Sequence, residues 1–293
     1  MELPIVVGVD GSEHSLRAVD WAADEAALRG VPLRLVYAAS REGDTDTPLA
    51  GAPGRPSVKE LADFVVDTAA RRAHRRDEKL TISLQVRGED PVPALLSEGR
   101  DAVALVVASR GRSRLAELLL GSVSLGVAAR ADCPVIVLRG SHDNQAMPGK
   151  QQRVVVGVGD KPHSAAAVRF AFDEAERRRA VLEAVHVWRR PLYETPVPAH
   201  QPGEPATSHE QRAADALAMA LRDPVAAYPS VAVLEHVVEG AAHLVLLDAS
   251  SRADLLLVGA QRRHGPYGLQ LGRVAHMLLH HSACPIAVVP QAA

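Results

Sequence analysis

The chain contains the same unit twice, and that duplication constrains its fold more than any other feature. The stretch "IVVGVDGSEHSLRAVDWAADEA" (Ile5 to Ala26) aligns with "VVVGVGDKPHSAAAVRFAFDEA" (Val154 to Ala175) at an offset of 149. Cys133-Pro134 aligns with Cys284-Pro285 at an offset of 151. The repeat therefore covers essentially all 293 residues. It predicts two units, 1–140 and 152–293, joined by the polar segment "RGSHDNQAMPGKQQ" (Arg139 to Gln152). Each unit is long enough to bury a core of its own.

Within each unit, apolar runs alternate with segments of helical period. In the first, strands are predicted near 4–9, 33–38, 80–87, 103–108 and 135–139, with helices near 15–29, 58–78, 92–99 and 122–131. In the second, strands are predicted near 153–158, 181–188, 231–238, 254–260 and 286–290. Continuous runs such as "VALVVAS" and "ADLLLVGA" suit strands buried on both faces, hence a parallel sheet covered by helices. Regular alternation of strand and helix implies right-handed crossovers and a doubly wound α/β fold.

Composition narrows the function. Net charge is −2 with a pI near 6.7, which argues against a nucleic-acid binder that relies on bulk positive charge. The arginine-rich runs "ARRAHRRDEK" (Ala70 to Lys79) and "ERRR" (Glu176 to Arg179) lie beside acidic residues in helical patterns and read as solvated helix faces. No apolar run reaches the roughly 18 residues that span a bilayer. Met1 is followed at once by a strand-like "ELPIVVGVD" with no basic leader, so no secretory signal is expected. The only cysteines, Cys133 and Cys284, sit at equivalent places before buried strands and read as small core residues. A reducing, cytoplasmic setting is expected, with neither a disulfide scaffold nor a metal centre. His276, His280 and His281 lack the third ligand and the H-E-x-x-H pattern of a zinc site and are read as structural.

In an open parallel sheet, ligands bind beyond the carboxyl ends of strands, where the strand order reverses. After the first strand comes "VDGSEHS". Asp10 offers a carboxylate to a ribose hydroxyl or base amine, Gly11 allows a sharp turn, and Ser12 and Ser15 can cap the next helix. Capping alone also accounts for Asp10 and Ser12. After the fourth strand comes "ASRGRSRLAELLLGSVS", in which Gly121 leads into Ser122 at a helix start. Unpaired N–H groups at a helix N-terminus attract phosphate, and glycine permits close approach. No lysine follows Gly121, so this is not the P-loop pattern. Long Gly- and Pro-rich inserts follow the second strand of each unit, at 40–57 and 189–208. They either cover a site or partner surface or serve as spacer.

On "VVGVDGSEHSLRAVDWA", "VVASRGRSRLAELLLGSVSLGVAARADCPVIVLR" and the twice-repeated alternation, the chain resembles a tandem universal stress protein of the UspA-like family. The resemblance implies two five-stranded parallel sheets of order 3-2-1-4-5, the adenine nucleotide α hydrolase-like fold. It implies ATP as ligand, with or without Mg, and dimerisation through the last strand, as a homodimer or as a pseudo-dimer of the two halves. Carried over, Asp10 holds the adenosine part, with Val9, Gly11 and Ser15 around it. Ala38, ending the second strand, offers backbone polar groups to adenine, and Gly88 is a further cofactor-binding position. Ala108, Gly111, Gly121, Ser122, Val123 and Ser124 form the phosphate segment. In the first unit, Ala108 stands where the family motif begins with glycine, which matters only if that position needs positive φ or direct approach.

The second unit departs further. Gly159 stands opposite Asp10, with Asp160 one residue late, and Val187 stands opposite Ala38. The phosphate segment reads Gly259, Arg262, Gly272 and Arg273, with arginines replacing a glycine and the serine. These arginines clamp a phosphate, fill an empty pocket, or pair with Asp160. Unequal halves are expected: the first binds ATP, while the second binds no nucleotide or holds an anion chiefly by arginine. No catalytic residue is assigned and no metal site is expected. Without a Walker-type lysine, acidic metal pair or positioned base near Gly121, at most slow ATP hydrolysis is anticipated. The implied role is a nucleotide-dependent stress-response regulator; the alternative is a nucleotide-free dimeric interaction scaffold. An ATP pyrophosphatase or adenylating ligase is disfavoured, because "DGSEHS" lacks the paired glycines of that loop.

Overall fold

The computed structural model describes residues 2–39, 57–109, 120–139, 151–159, 164–189, 209–260 and 271–291. In the first half, strands β1 (Ile5–Val9), β2 (Leu33–Ala38), β3 (Ile82–Arg87), β4 (Ala104–Ala108) and β5 (Val135–Leu138) alternate with helices α1 (Glu13–Arg29), α2 (Val58–Arg76), α3 (Pro91–Gly99) and α4 (Ser122–Arg130). The second half repeats this with β6 (Arg153–Val158), β7 (Val181–Trp188), β8 (Val233–Glu239), β9 (Leu255–Ala260) and β10 (Ile286–Pro290). Its helices are α5 (Ala165–Arg178), α6 (His209–Ala227), α7 (Ala242–Ser250) and α8 (Arg273–His281).

All strands within a half run parallel, in the expected order 3-2-1-4-5 and its counterpart β8-β7-β6-β9-β10. The two sheets are not separate. β5 and β10 pair antiparallel, Ile136 opposite Ala287, and join them into one ten-stranded sheet. Of the two expected forms of last-strand contact, between two chains or between the two halves, the second is present within this chain. Apolar side chains on both faces of the central strands drive this arrangement, while the outer strands β3 and β8 are largely half-buried or exposed. Ile5, Val7 and Val9 face the core under α1, α2, α5 and α6, and Val6 faces the core under α3, α4, α7 and α8. Both cores run across the β5–β10 seam, since Ala287 and Val289 join the first and Ile286 and Val288 the second. Each fully buried valine, leucine or isoleucine among them contributes roughly 1.5–3 kcal/mol. Cys133 and Cys284 are buried and free, as expected of core residues.

Local boundaries follow capping chemistry. α1 starts at Glu13 and not near residue 15, because Ser12 is extended and its hydroxyl accepts from the Ser15 N–H. It ends at Gly30, whose φ of 68° a side chain would strain. α2 opens on a capping box between Ser57 and Glu60. β3 starts at Ile82, two residues later than the apolar pattern suggested, as the outer strand of the sheet.

Within the arginine runs Arg71, Arg75, Arg76, Arg177 and Arg179 are exposed as expected, but several arginines also tie helices together and two, Arg72 and Arg178, are withdrawn from solvent. Arg72 forks onto Asp20, Nε donating to Oδ1 at 2.9 Å and Nη2 to Oδ2 at 2.6 Å, and Arg76 Nε reaches Asp24 at 2.9 Å, tying α2 to α1. Arg178 is buried altogether, its side chain only 4% exposed. With Arg29 it forms a crossed network between α1 and α5. Each arginine binds the glutamate one turn earlier on its own helix, Glu25 or Glu174, and also the other half's glutamate. Arg29 further binds Asp173 at 2.9 Å. Each guanidinium lies over an aromatic ring of the opposite half, Arg29 at 5.0 Å from Phe170 and Arg178 at 5.5 Å from Trp21. Sequence pattern missed this because an arginine at a helix interface looks the same as one in water.

Candidate functional site

The strand order reverses between β1 and β4, which are hydrogen-bonded neighbours. The crevice beyond their carboxyl ends is therefore the place to look for a ligand. At the end of β1 the chain turns through Gly11, whose φ of 82° favours glycine over any side chain. The turn is held by a closed set of bonds. The Ser12 N–H and hydroxyl both donate to Asp10 Oδ1, at 2.9 and 2.6 Å. The Ser12 oxygen also accepts from the Ser15 N–H at 3.2 Å. The Ser15 hydroxyl donates to the Ser12 carbonyl at 2.9 Å and accepts from the Asp10 N–H at 3.3 Å. Ser12 is thus the helix cap, and Asp10 is held in one orientation by it. Val9 and Ser15 are buried beneath the turn and supply its floor.

At the end of β4 the chain is pinned beside this turn. The Gly121 N–H donates to the Ser109 carbonyl at 2.7 Å, and the Ser109 N–H to the Leu138 carbonyl at 2.7 Å. α4 then begins at Ser122 with Gly121 as its extended cap and no side-chain cap bond. Its first-turn N–H groups, from Ser122, Val123 and Ser124, mark the positive end of the helix dipole. The Ser124 side chain belongs to the fold: it is buried, and its hydroxyl donates to the Ala108 carbonyl at 2.5 Å. Only the Ser124 backbone can therefore serve a phosphate in this arrangement. Ala108 pairs with Leu138 as ordinary strand, and among the described residues only Gln152 and Arg179 are non-glycines with positive φ. The methyl that replaces the family's glycine thus carries no backbone strain. Ala38 ends β2 opposite Arg87, and Gly88 follows β3 at the surface. Gly111 lies outside the described residues, as do Asp160, Arg262 and nearly all of both long inserts.

The second half repeats the frame with other side chains. Gly159 follows β6, and Gly259 lies in β9 opposite Val289. Gly272 caps α8 in the same extended conformation as Gly121, so Arg273 takes the first helical position that Ser122 holds in α4. Arg273 lines a cavity of about 830 Å³ at the carboxyl end of β7, together with Val187, Trp188, Arg189 and, from α6 and α7, Arg212 and His243. Sequence reading found Val187 and Arg273 but missed the rest. The signal available was the exchange of neutral first-half residues for basic and aromatic ones at equivalent positions. The His276 and His280 rings lie 4.6 Å apart, tilted by 51°, along α8, and the described residues hold no cluster of three or more metal-ligating side chains. Burial and the neighbouring His276 hold His280 below the usual histidine range. No described helix is long and apolar enough to cross a membrane.

A duplicated, doubly wound sheet with a turn-held aspartate beside a glycine-led helix start defines the class of protein. The universal stress protein family model matches twice, over residues 1–139 and 151–290, and the chain belongs to that family. The universal stress protein Rv2005c of Mycobacterium tuberculosis is 34% identical over 293 residues, covering 98% of this chain and 97% of its own. The crystal structure of a universal stress protein from Archaeoglobus fulgidus shares the fold with a TM-score of 0.68 at 17% identity, covering 99% and 98% of the two chains. A universal stress protein solved in complex with cAMP is 31% identical to the part it covers, 47% of this chain, at a TM-score of 0.36.

Proposed function

We propose that the first half binds an adenine nucleotide, with ATP (with or without Mg) as its ligand, and that the chain acts as a nucleotide-dependent stress-response regulator. One observation carries the reading: the Asp10 turn and the open start of α4 meet at the ends of adjacent strands, at the switch point of the sheet. Asp10 is the group for the ribose, Ala38 and Gly88 border the base, and the Gly121–Ser124 backbone cradles the phosphates. The reading is of a binding site with slow turnover at most, supported by the sequence, in which no Walker-type lysine follows Gly121. Because β5 and β10 pair within the chain, the unit of function is a pseudo-dimer. The reading includes a cytoplasmic setting, where two buried free cysteines stay reduced.

The test is nucleotide retention. Full-length protein purified without added ligand is heat-denatured, and the released adenine nucleotide is counted per chain. About one equivalent is expected, with melting raised by ATP; saturation at a hundredfold over Kd corresponds to about 2.7 kcal/mol. Asp10→Ala and Ser122→Glu should abolish both effects. Neither retention nor an ATP-dependent melting shift would overturn the proposal and favour a nucleotide-free interaction scaffold.

A further inference from the structure

The geometry points to the cavity of the second half as a binding site for a polyphosphate-bearing small molecule, recognised by its phosphate chain and not by adenosine. The inference does not depend on nucleotide binding by the first half. The cavity holds about 830 Å³, within the range of small-molecule sites, and lies between the end of β7 and the starts of α6, α7 and α8. Three arginines converge on it, Arg189, Arg212 and Arg273, and no carboxylate is among its described lining residues. Arg189 Nε donates to the Gly240 carbonyl at 3.1 Å, which anchors one edge of its guanidinium to the backbone. Arg212 Nη2 lies 2.7 Å from His209 Nδ1. A guanidinium can only donate, so His209 accepts at Nδ1 and, when neutral, carries its proton on Nε2. The His209 ring lies near-parallel to Trp188, 6.1 Å away.

The duplication supplies an internal control. Strand register pairs Val9 with Tyr37 and Val158 with His186, which makes Ala39 and Trp188 equivalent. Buried Ala62 and Ala213 align the helices α2 and α6, placing Leu61 opposite Arg212. Leu95 and Leu246 pack over Gly8 and Gly157 in the same way, placing Val92 opposite His243. Ser122 stands opposite Arg273. Four neutral residues have thus become a tryptophan, a histidine and two arginines, all on one cavity, while the cores beneath stay aliphatic. Arginine at the first position of a helix opposes the dipole, and three guanidiniums around one space repel. An anion with several charges relieves both, and arginine forks suit phosphate oxygens. Successive phosphates supply that charge within the reach of one cavity.

Intrinsic fluorescence tests this on the full chain, because Trp188 lines the cavity and the only other tryptophan, Trp21, is 2% exposed in the core. Sodium tripolyphosphate, ATP and adenosine are titrated against wild type, Arg212→Gln/Arg273→Gln, the charge-keeping Arg212→Lys/Arg273→Lys, and Trp188→Phe as the control for the signal. Tripolyphosphate should give a saturable Trp188 response, weakened at least tenfold by the glutamine pair and less by the lysine pair. Adenosine should give none. Tripolyphosphate should bind at least as tightly as ATP, which identifies the phosphate chain as the recognised group; clearly tighter binding of ATP would show that adenosine adds recognition and would overturn the inference. The inference is overturned by no response to tripolyphosphate, by equal binding to the glutamine pair, or by an adenosine response matching that of ATP. Both arginines are exposed, and circular dichroism checks that the variants fold. Loss of nucleotide retention in Asp10→Ala with the Trp188 response intact would separate this site from the first.

Discussion

The crossed network between α1 and α5 makes the stability of this chain depend on pH in a specific way. Glu25 is 2% exposed and Glu174 fully buried. Burial and the nearby Glu174 carboxylate push Glu25 up to about 7. Burial opposes ionisation of Glu174 as well, but Arg178 and Arg29 outweigh it and hold that carboxyl low. Arg29 and Arg178 are the cations facing Glu25, with Asp173 beyond Arg29. Between pH 4.5 and about 7 the folded chain keeps a proton on Glu25 that the unfolded chain releases. Raising pH through that window therefore favours unfolding, by about 1.4 kcal/mol per unit, or about 3 kcal/mol in all. Glu25→Gln fixes the neutral state and removes this dependence. Urea unfolding at pH 5, 6, 7 and 8, followed by tryptophan emission, should show wild type losing about 2.5 kcal/mol relative to Glu25→Gln between pH 5 and 8, since pH 5 already lies inside the window. Parallel profiles for the two proteins would refute the reasoning, because they would mean that Glu25 is ionised throughout.

Other expectations follow from the same contacts. Arg29→Met leaves buried carboxylates with one arginine, so urea unfolding should show a loss of about 3–5 kcal/mol; replacing both arginines and both glutamates by apolar residues of similar volume should restore most of it. Burial pushes the thiols of Cys133 and Cys284 up to about 11 and about 12, so at pH 8 the native protein should resist thiol reagents until it unfolds. A methyl on Gly157 would stand 2.9 Å from Leu246 Cδ1, and Gly157→Ala should cost about 1–3 kcal/mol by thermal melting as α7 shifts on the sheet. Ser12→Ala removes a cap and both Ser12 hydroxyl bonds, so about 1 kcal/mol of stability should go together with weaker ATP binding, read by calorimetry.

The alternation of strand and helix was legible because it rests on period and burial, which sequence carries directly, whereas the strand order was implied only by the family resemblance. The runs Ile5–Val9 and Leu255–Ala260 leave few other places for a strand to go. The positions of Asp10, next after β1, and of Gly121, at the start of α4, were legible for the same reason, since a strand run and a helix start mark them. What the pattern missed lies in contacts between elements far apart in sequence. Arg29 and Glu174 are 145 residues apart, and nothing local distinguishes them from Arg177 and Glu176 on the helix exterior. Trp188 and Arg212 belong to different elements, so their shared cavity emerges only once β7 and α6 are placed together. Ser124 shows the opposite limit: its motif position suggests ligand contact, while its hydroxyl closes a bond to Ala108.

The pattern of divergence between the halves follows from their being one chain. Two separate identical subunits meeting at their last strands would have to carry the same pocket, since any substitution appears in both. Covalent duplication removes that constraint and leaves only the interface bound to stay matched. The residues obey this division. Glu25 and Glu174, Arg29 and Arg178, and the aromatic pair Trp21 and Phe170 are preserved in kind, because each completes a contact made by the other half. Ser122 and Arg273, or Ala39 and Trp188, meet no such demand and have separated. Interface substitutions should therefore destabilise both halves together, whereas exchanging Ser122 and Arg273 should move ligand preference with little change in unfolding.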